Sequence, residues 1–194
     1  YGTGEIIRDA LERGCRNFII GIGGSATNDA GLGMLQALGF RFLDKEGKIL
    51  ETGNGKILME VVSIDTSFVH PDLRTSHFTV ACDVQNPFYG LEGAAYIFAP
   101  QKGADRKMVE ALDAGMKNFA EVIFHTTGKD ISNHSGTGAA GGMGGSLLAF
   151  LNAKLKPGIQ LMLETLDFSN KIKGADLIIT GEGKADKQTL MGKV

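Results

Sequence analysis

Two hydrophobic rhythms alternate along the chain. In "GEIIRDALERG", Ile6, Ile7, Ala10 and Leu11 recur at helical spacing, and Gly14 supplies a C-terminal stop. Phe18 to Ile22 is then unbroken and apolar, as in a buried strand. The helical rhythm returns from about Asn28 to Leu38 and closes at Gly39. "FRFLD" (40–44) alternates like a strand, and "KEGK" turns it toward "ILE". The turn clusters "TGNG" and "HPDLRT" predict irregular structure over 52–77. "HFTVACD" (77–83) and "AAYIFAP" (94–100) read as strands. Helices are predicted from about Arg106 to Thr126, over 146–151 and over 158–166, with a further strand over 177–180. Interleaved strands and helices predict an α/β fold, a mixed sheet with helices on both faces. No linker composition interrupts the chain, so a single compact α/β unit over 1–194 is expected.

Composition narrows the functions. Hydrophobic residues make up 43% and charged residues 22% of 194, an ordinary globular balance. The net charge of −2, without a basic run, gives no footprint for nucleic acid or a membrane surface. No apolar stretch approaches the roughly 20 residues of a membrane span. Cys15 and Cys82 fit no metal spacing, and with no signal peptide visible a reduced cytoplasmic setting is expected. Glycine, with 28 copies, clusters in a few loops, which directs attention to those loops. The chain opens at Tyr1 and stops at Val194 in mid-pattern, as an excised piece of a longer one would.

"GIGGSA" satisfies G-x-G-x-x-A at Gly21, Gly23 and Ala26, and Asp44 stands where a ribose-binding acid would follow. This keeps an NAD-dependent oxidoreductase open. Against it, "TND" (27–29) puts polar groups where that fingerprint wants apolar packing. The P-loop pattern is absent. "SATND" is read either as a helix cap, with Thr27 or Asn28 as N-cap, or as a ligand-facing cluster of Ser25, Thr27, Asn28 and Asp29. "ACDVQNP" ends a strand with Asp83 and Asn86, suited to a site beyond a strand's carboxyl end or to an Asx-turn. "GTGAAGGMGG" fits an anion cradle or a tight backbone crossing. In "TGEGKAD", Glu182 and Asp186 suit a metal or a sugar hydroxyl. Lys102, in "PQKGA", could meet a phosphate or simply be solvated. The four histidines show no ligand spacing.

Taken together, "GIGGSATNDAGLGMLQALG", "ACDVQNP", "PQKGA", "GTGAAGGMGG", "LKPGIQLMLE" and "DLIITGEGKADKQTLMGKV" resemble the bacterial glycerate kinase family that carries no P-loop. The resemblance implies a longer protein of two α/β domains: a Rossmann-like one built from both chain ends, and one inserted between them. This chain would be that inserted, central portion, with 174–194 starting the return to the Rossmann-like domain. The implied reaction is phosphoryl transfer from ATP, with Mg2+, to a hydroxyl of D-glycerate. Its partners would be these small molecules and the rest of its own chain. Asp83 and then Asp29 are the expected catalytic acids. Gly23, Gly24, Ser25, Asn28, Asn86, Lys102, Gly141, Gly142 and Glu182 are the expected substrate- and phosphate-binding positions, with Asp186 on the metal. The excised piece is expected to fold but to be a poor catalyst or an inert structural domain.

Overall fold

The computed structural model describes residues 1–51, 53–179 and 181. The first helix, α1 (Gly2–Glu12), buries Ile7 and Leu11, and the side-chain-free Gly4 lets it approach the backbone of the next helix at Met34. Strand β1 (Asn17–Gly21) leads through a ten-residue loop (22–31) to α2 (Leu32–Ala37). This helix starts four residues later than the sequence rhythm suggests. Ala30 and Gly31 both have positive φ, 54° and 78°, so the chain makes a left-handed step before it can wind.

Residues 52–77, expected to be irregular, contain more order. After β2 (Arg41–Leu43), 3-10 turns span Gly55–Met59 and Pro71–Thr75, and β3 (Ser63–Asp65) pairs antiparallel with β2. Three-residue strands carry too little alternation to be read from sequence. Strand β4 (His77–Ala81) follows as expected. "AAYIFAP" is a helix, α3 (Ala94–Phe98), followed by a 3-10 turn at Pro100–Lys102, and not a strand. Its alanines are strong helix formers, and Ala94, Ala95 and Ala99 share the buried side. The long helix α4 (Arg106–Thr127) is capped by Asp105, whose side chain accepts from the Met108 N–H, and ends at left-handed Gly128. The apolar helix is α5 (Met143–Phe150), and β5 (Lys154–Lys156), a strand the sequence did not announce, leads to α6 (Gly158–Thr165) and α7 (Phe168–Lys171). The strand expected at 177–180 is absent among the described residues: Leu177 to Ile179 form no regular element.

The α/β class holds, with parallel and antiparallel pairing in separate sheets. Strands β1, β4 and β5 form a parallel sheet in that order, and β2–β3 form a two-stranded one. Gly21 lies beside Ala81, and Ala81 beside Lys156, so all three parallel strands end at one edge. Phe42, Phe88 and Phe119 are fully buried in the core, with Phe42 and Phe119 edge to face at 5.7 Å.

Candidate active site

Open α/β sheets gather ligands beyond their strands' carboxyl ends. Here the loop after β1 brings Gly23, Gly24 and Ser25, and the loop after β4 brings Asp83, to a pocket of about 200 Å3. Asp83 is exposed, and its Oδ1 accepts the Gly158 N–H at 2.7 Å, at the start of α6. The Asx-turn alternative therefore does not hold for Asp83: it takes a donor from a distant element. Its Oδ2 has no hydrogen-bond partner among the described residues. The backbone N–H groups of Gly23 to Asn28 likewise find no acceptor among the described residues. A Cβ built on Gly23 or Gly24 meets nothing within 4 Å, so this stretch is open to a ligand.

Lys102 reaches the same loop from the turn after α3. Its Nζ donates to the Thr27 carbonyl at 2.6 Å and to Ser25 Oγ at 3.2 Å. Burial pushes its ammonium below the ordinary lysine pKa, against the opposing pull of the Asp29 carboxylate. Lys102 also lines a second cavity of about 680 Å3, which runs between Thr27–Asp29, the Gly53–Lys56 turn and α4. Lys56 and the α4 wall of Met108 and Leu112 were missed by sequence reasoning; only the "TGNG" cluster hinted at a close approach there.

Asp29 is buried and saturated. Oδ1 accepts from Thr27 Oγ1 and the Gly31 N–H, both at 2.9 Å, and Oδ2 accepts from the Gly33 N–H at 3.1 Å. Of the capping alternatives, it is Asp29 that fastens the start of α2, not Thr27 or Asn28. Beside it, Asn28 Oδ1 and Nδ2 are shut off from solvent and have no partner among the described residues. Leaving a buried polar group unpaired costs about 1–3 kcal/mol, so something other than stability accounts for this amide.

The second glycine-rich loop lies beneath the first. Ala30 N–H donates to the Gly141 carbonyl at 2.9 Å, and Ser146 Oγ donates to the Ala30 carbonyl. A Cβ on Gly141 would collide with the Thr27 carbonyl and come within 2.5 Å of Asn28 Cα; on Gly142 it would lie 3.0 Å from Ala30 Cα. Both have positive φ, 64° and 91°. Of the two readings for this loop, the tight backbone crossing is what forms, and Gly141 and Gly142 line neither cavity.

Asn86 also stands outside both cavities; its Nδ2 donates to the Glu92 carbonyl at 2.8 Å and closes its own loop. Cys82 is a half-buried thiol whose pKa is raised by desolvation, with Sγ against the Val84 carbonyl. Asp44 caps the "KEGK" turn, accepting from Glu46 and Lys48 N–H groups at 2.9 Å. It follows β2, which belongs to the other sheet, while the neighbour of β1 is β4. A dinucleotide site needs that acid on a strand beside β1, so the geometry for NAD is missing. Glu182 and Asp186 lie outside the described residues.

The glycerate kinase family model matches residues 1–194, and the chain belongs to the glycerate kinase family. It is 51% identical over its whole length to a glycerate kinase from Haemophilus influenzae, covering 51% of that protein. It is 48% identical to a glycerate 2-kinase from Escherichia coli K12, covering 50% of it. A crystal structure from Salmonella typhimurium LT2 superposes with a TM-score of 0.90 at 48% identity, over all of this chain and 51% of that one. The chain thus spans about half the length of the curated relatives it matches.

Proposed function

We propose that the full-length protein containing this chain transfers the γ-phosphoryl group of ATP to a hydroxyl of D-glycerate. The observation that carries the reading is the meeting, at one sheet edge, of an open run of backbone N–H groups, the Lys102 ammonium and the Asp83 carboxylate. Phosphoryl transfer asks for this set: anion donors, a cation and an acceptor for the hydroxyl proton, with little covalent chemistry.

The glycerate hydroxyl oxygen attacks Pγ as the bond from Pγ to the β–γ bridging oxygen breaks. ADP leaves with that electron pair. The hydroxyl proton passes to Asp83 Oδ2, while Oδ1 stays on the Gly158 N–H and holds the carboxylate in place. Among the described residues no group of three or more His, Cys, Asp or Glu could hold a metal ion. Magnesium on the nucleotide's phosphates would supply charge neutralisation, and Asp186, outside the described residues, stays the proposed protein ligand. No helix among the described residues is long and apolar enough to cross a membrane. The outward Ile19 of edge strand β1, 62% exposed, marks a sheet face that the remainder of a longer chain would cover.

The test is an assay of the full-length protein with magnesium and ATP, with and without D-glycerate. ADP and a phosphoglycerate identified by 31P NMR, formed in equal amounts, are expected. NAD reduction with no ADP formed would overturn the reading.

A further inference from the structure

Two cavities share the Lys102 side chain, and the loop 23–28 runs between them: Gly23, Gly24 and Ser25 line the smaller, Ala26, Thr27 and Asn28 the larger. The geometry points to a division of labour, in which the smaller pocket takes the hydroxy acid, the larger cavity takes the nucleoside triphosphate, and Lys102 stands where the γ-phosphoryl crosses. This rests on the kinase reading above and says which side of the loop holds which substrate.

Size decides first. Sites for cofactor-sized ligands run from about 300 to about 1,000 Å3. The larger cavity, about 680 Å3, falls inside that range, and the smaller, about 200 Å3, falls below it and suits a three-carbon acid. Wall chemistry agrees. The larger cavity offers the apolar flank of Met59, Met108 and Leu112 to a flat base, and Lys56 and Lys102 to phosphates. Each cavity is lined by one acid, but Asp29, in the larger, spends its oxygens on Thr27, Gly31 and Gly33, whereas Asp83, in the smaller, has an Oδ2 without a partner among the described residues and so suits a hydroxyl.

Lys102 is tied to both sides of the seam. It bonds Ser25, on the small-pocket side, and Thr27, on the large-cavity side. An ammonium has three donors; two are spent here, and the third is left for an oxygen of the phosphoryl group in transit. Partial burial strengthens that attraction, because a desolvated charge acts through a lower dielectric. Lys102 is thereby a catalytic residue of the transfer, in contact with the reacting group.

Ala111 of α4 lines only the large cavity and Gln101 only the small one, and both are exposed, so bulk added at either leaves the core intact. In the full-length protein, Ala111→Trp is expected to weaken binding of the non-hydrolysable analogue AMP-PNP with magnesium, measured by calorimetry, by roughly tenfold or more, with the KM for D-glycerate little changed. Gln101→Trp is expected to do the reverse. Lys102→Met should lower kcat by roughly a hundredfold or more, a larger loss than in the binding of AMP-PNP or D-glycerate. The opposite pairing of variants and substrates, or equal effects of both variants on both substrates, would overturn the division. So would wild-type kcat in Lys102→Met. If the unaltered enzyme phosphorylates no glycerate, the kinase reading itself fails; phosphorylation with the pairing reversed removes only the division.

Discussion

Asp83 and Gly158 are 75 positions apart in sequence, yet the Asp83 carboxylate accepts the Gly158 N–H at 2.7 Å. The pairing of Ala81 with Lys156 in adjacent parallel strands brings them together. It leaves one carboxylate oxygen anchored on a helix start and the other without a hydrogen-bond partner among the described residues, on a side chain that lines the small pocket.

Asp83→Asn separates the two oxygens' roles. The asparagine Oδ1 still accepts from Gly158, so the fold is retained, but an amide NH2 replaces the acceptor facing the substrate. Turnover of the full-length enzyme is expected to fall by about two to four orders of magnitude, with an unchanged melting temperature. Wild-type kcat accompanied by earlier melting would reduce Asp83 to a helix-anchoring group.

Gly158→Ala approaches the same carboxylate from the other side. The new Cβ would lie 3.1 Å from Asp83 Oδ2 and 3.3 Å from Oδ1, closer than a carboxylate tolerates without moving. The carboxylate has to give by only a few tenths of an ångström; because displacing a reacting group by about 1 Å costs up to about a hundredfold, kcat should fall by up to about tenfold. Thermal stability should stay level or rise, because alanine outranks glycine in helices by up to about 1 kcal/mol. A steady-state assay paired with calorimetry reads both.

Gly24 and Gly141 have nearly the same φ, 63° and 64°, but opposite surroundings. Gly24→Ala meets only the left-handed backbone cost, about 1–2 kcal/mol. Gly141→Ala adds a collision with the Thr27 carbonyl; overpacking of this kind costs a further 1–3 kcal/mol or so. Denaturant midpoints should therefore rank Gly141→Ala well below Gly24→Ala. Equal losses would mean that the crossing of the two loops is looser than it looks.

Asn28→Leu removes the unpaired amide with little change of volume. Removing an unsatisfied buried group returns up to about 1–3 kcal/mol, so stability should hold or rise while phosphoryl transfer falls. Stability that drops together with activity would show that the amide has a structural partner in the full-length protein.

The hydrogen bond from Lys156 holds the Glu164 carboxyl below the ordinary glutamate pKa, with Gln160 adding to it. A lowered folded-state pKa means that the pair's contribution is complete above the unfolded-chain value. It is lost as pH falls through the folded one. Acid melting curves of Glu164→Gln should accordingly be less steep than those of the parent over that window. Because this pair ties α6 to β5, acid loosening should also reach the Asp83–Gly158 contact. An identical acid limb in both proteins would show that the exposed pair contributes nothing.

Local order was legible where one rhythm ran long enough. Helices α1, α4 and α6 and strands β1 and β4 follow from apolar spacing and from stops such as Gly14, which are properties of neighbouring residues. The family was legible too, because its glycine-rich segments are long and ordered along the chain. Short elements were not: β3 and β5 exist through their partners, and "AAYIFAP" winds as a helix because of which alanines meet the core. Sequence supplied the polar groups of the site, Asp83, Asp29, Asn28 and Lys102, but not their division into roles. Asp29 is spent on its own loop, Asp83 keeps one oxygen without a partner among the described residues, and Gly141, expected to bind substrate or phosphate, is buried beneath the first glycine loop. Those outcomes depend on strand register and on backbone crossings between segments more than a hundred residues apart, as with Ser146 on Ala30 at a separation of 116. Periodicity records which residues are neighbours in the chain; only the packed sheet decides which become neighbours in space.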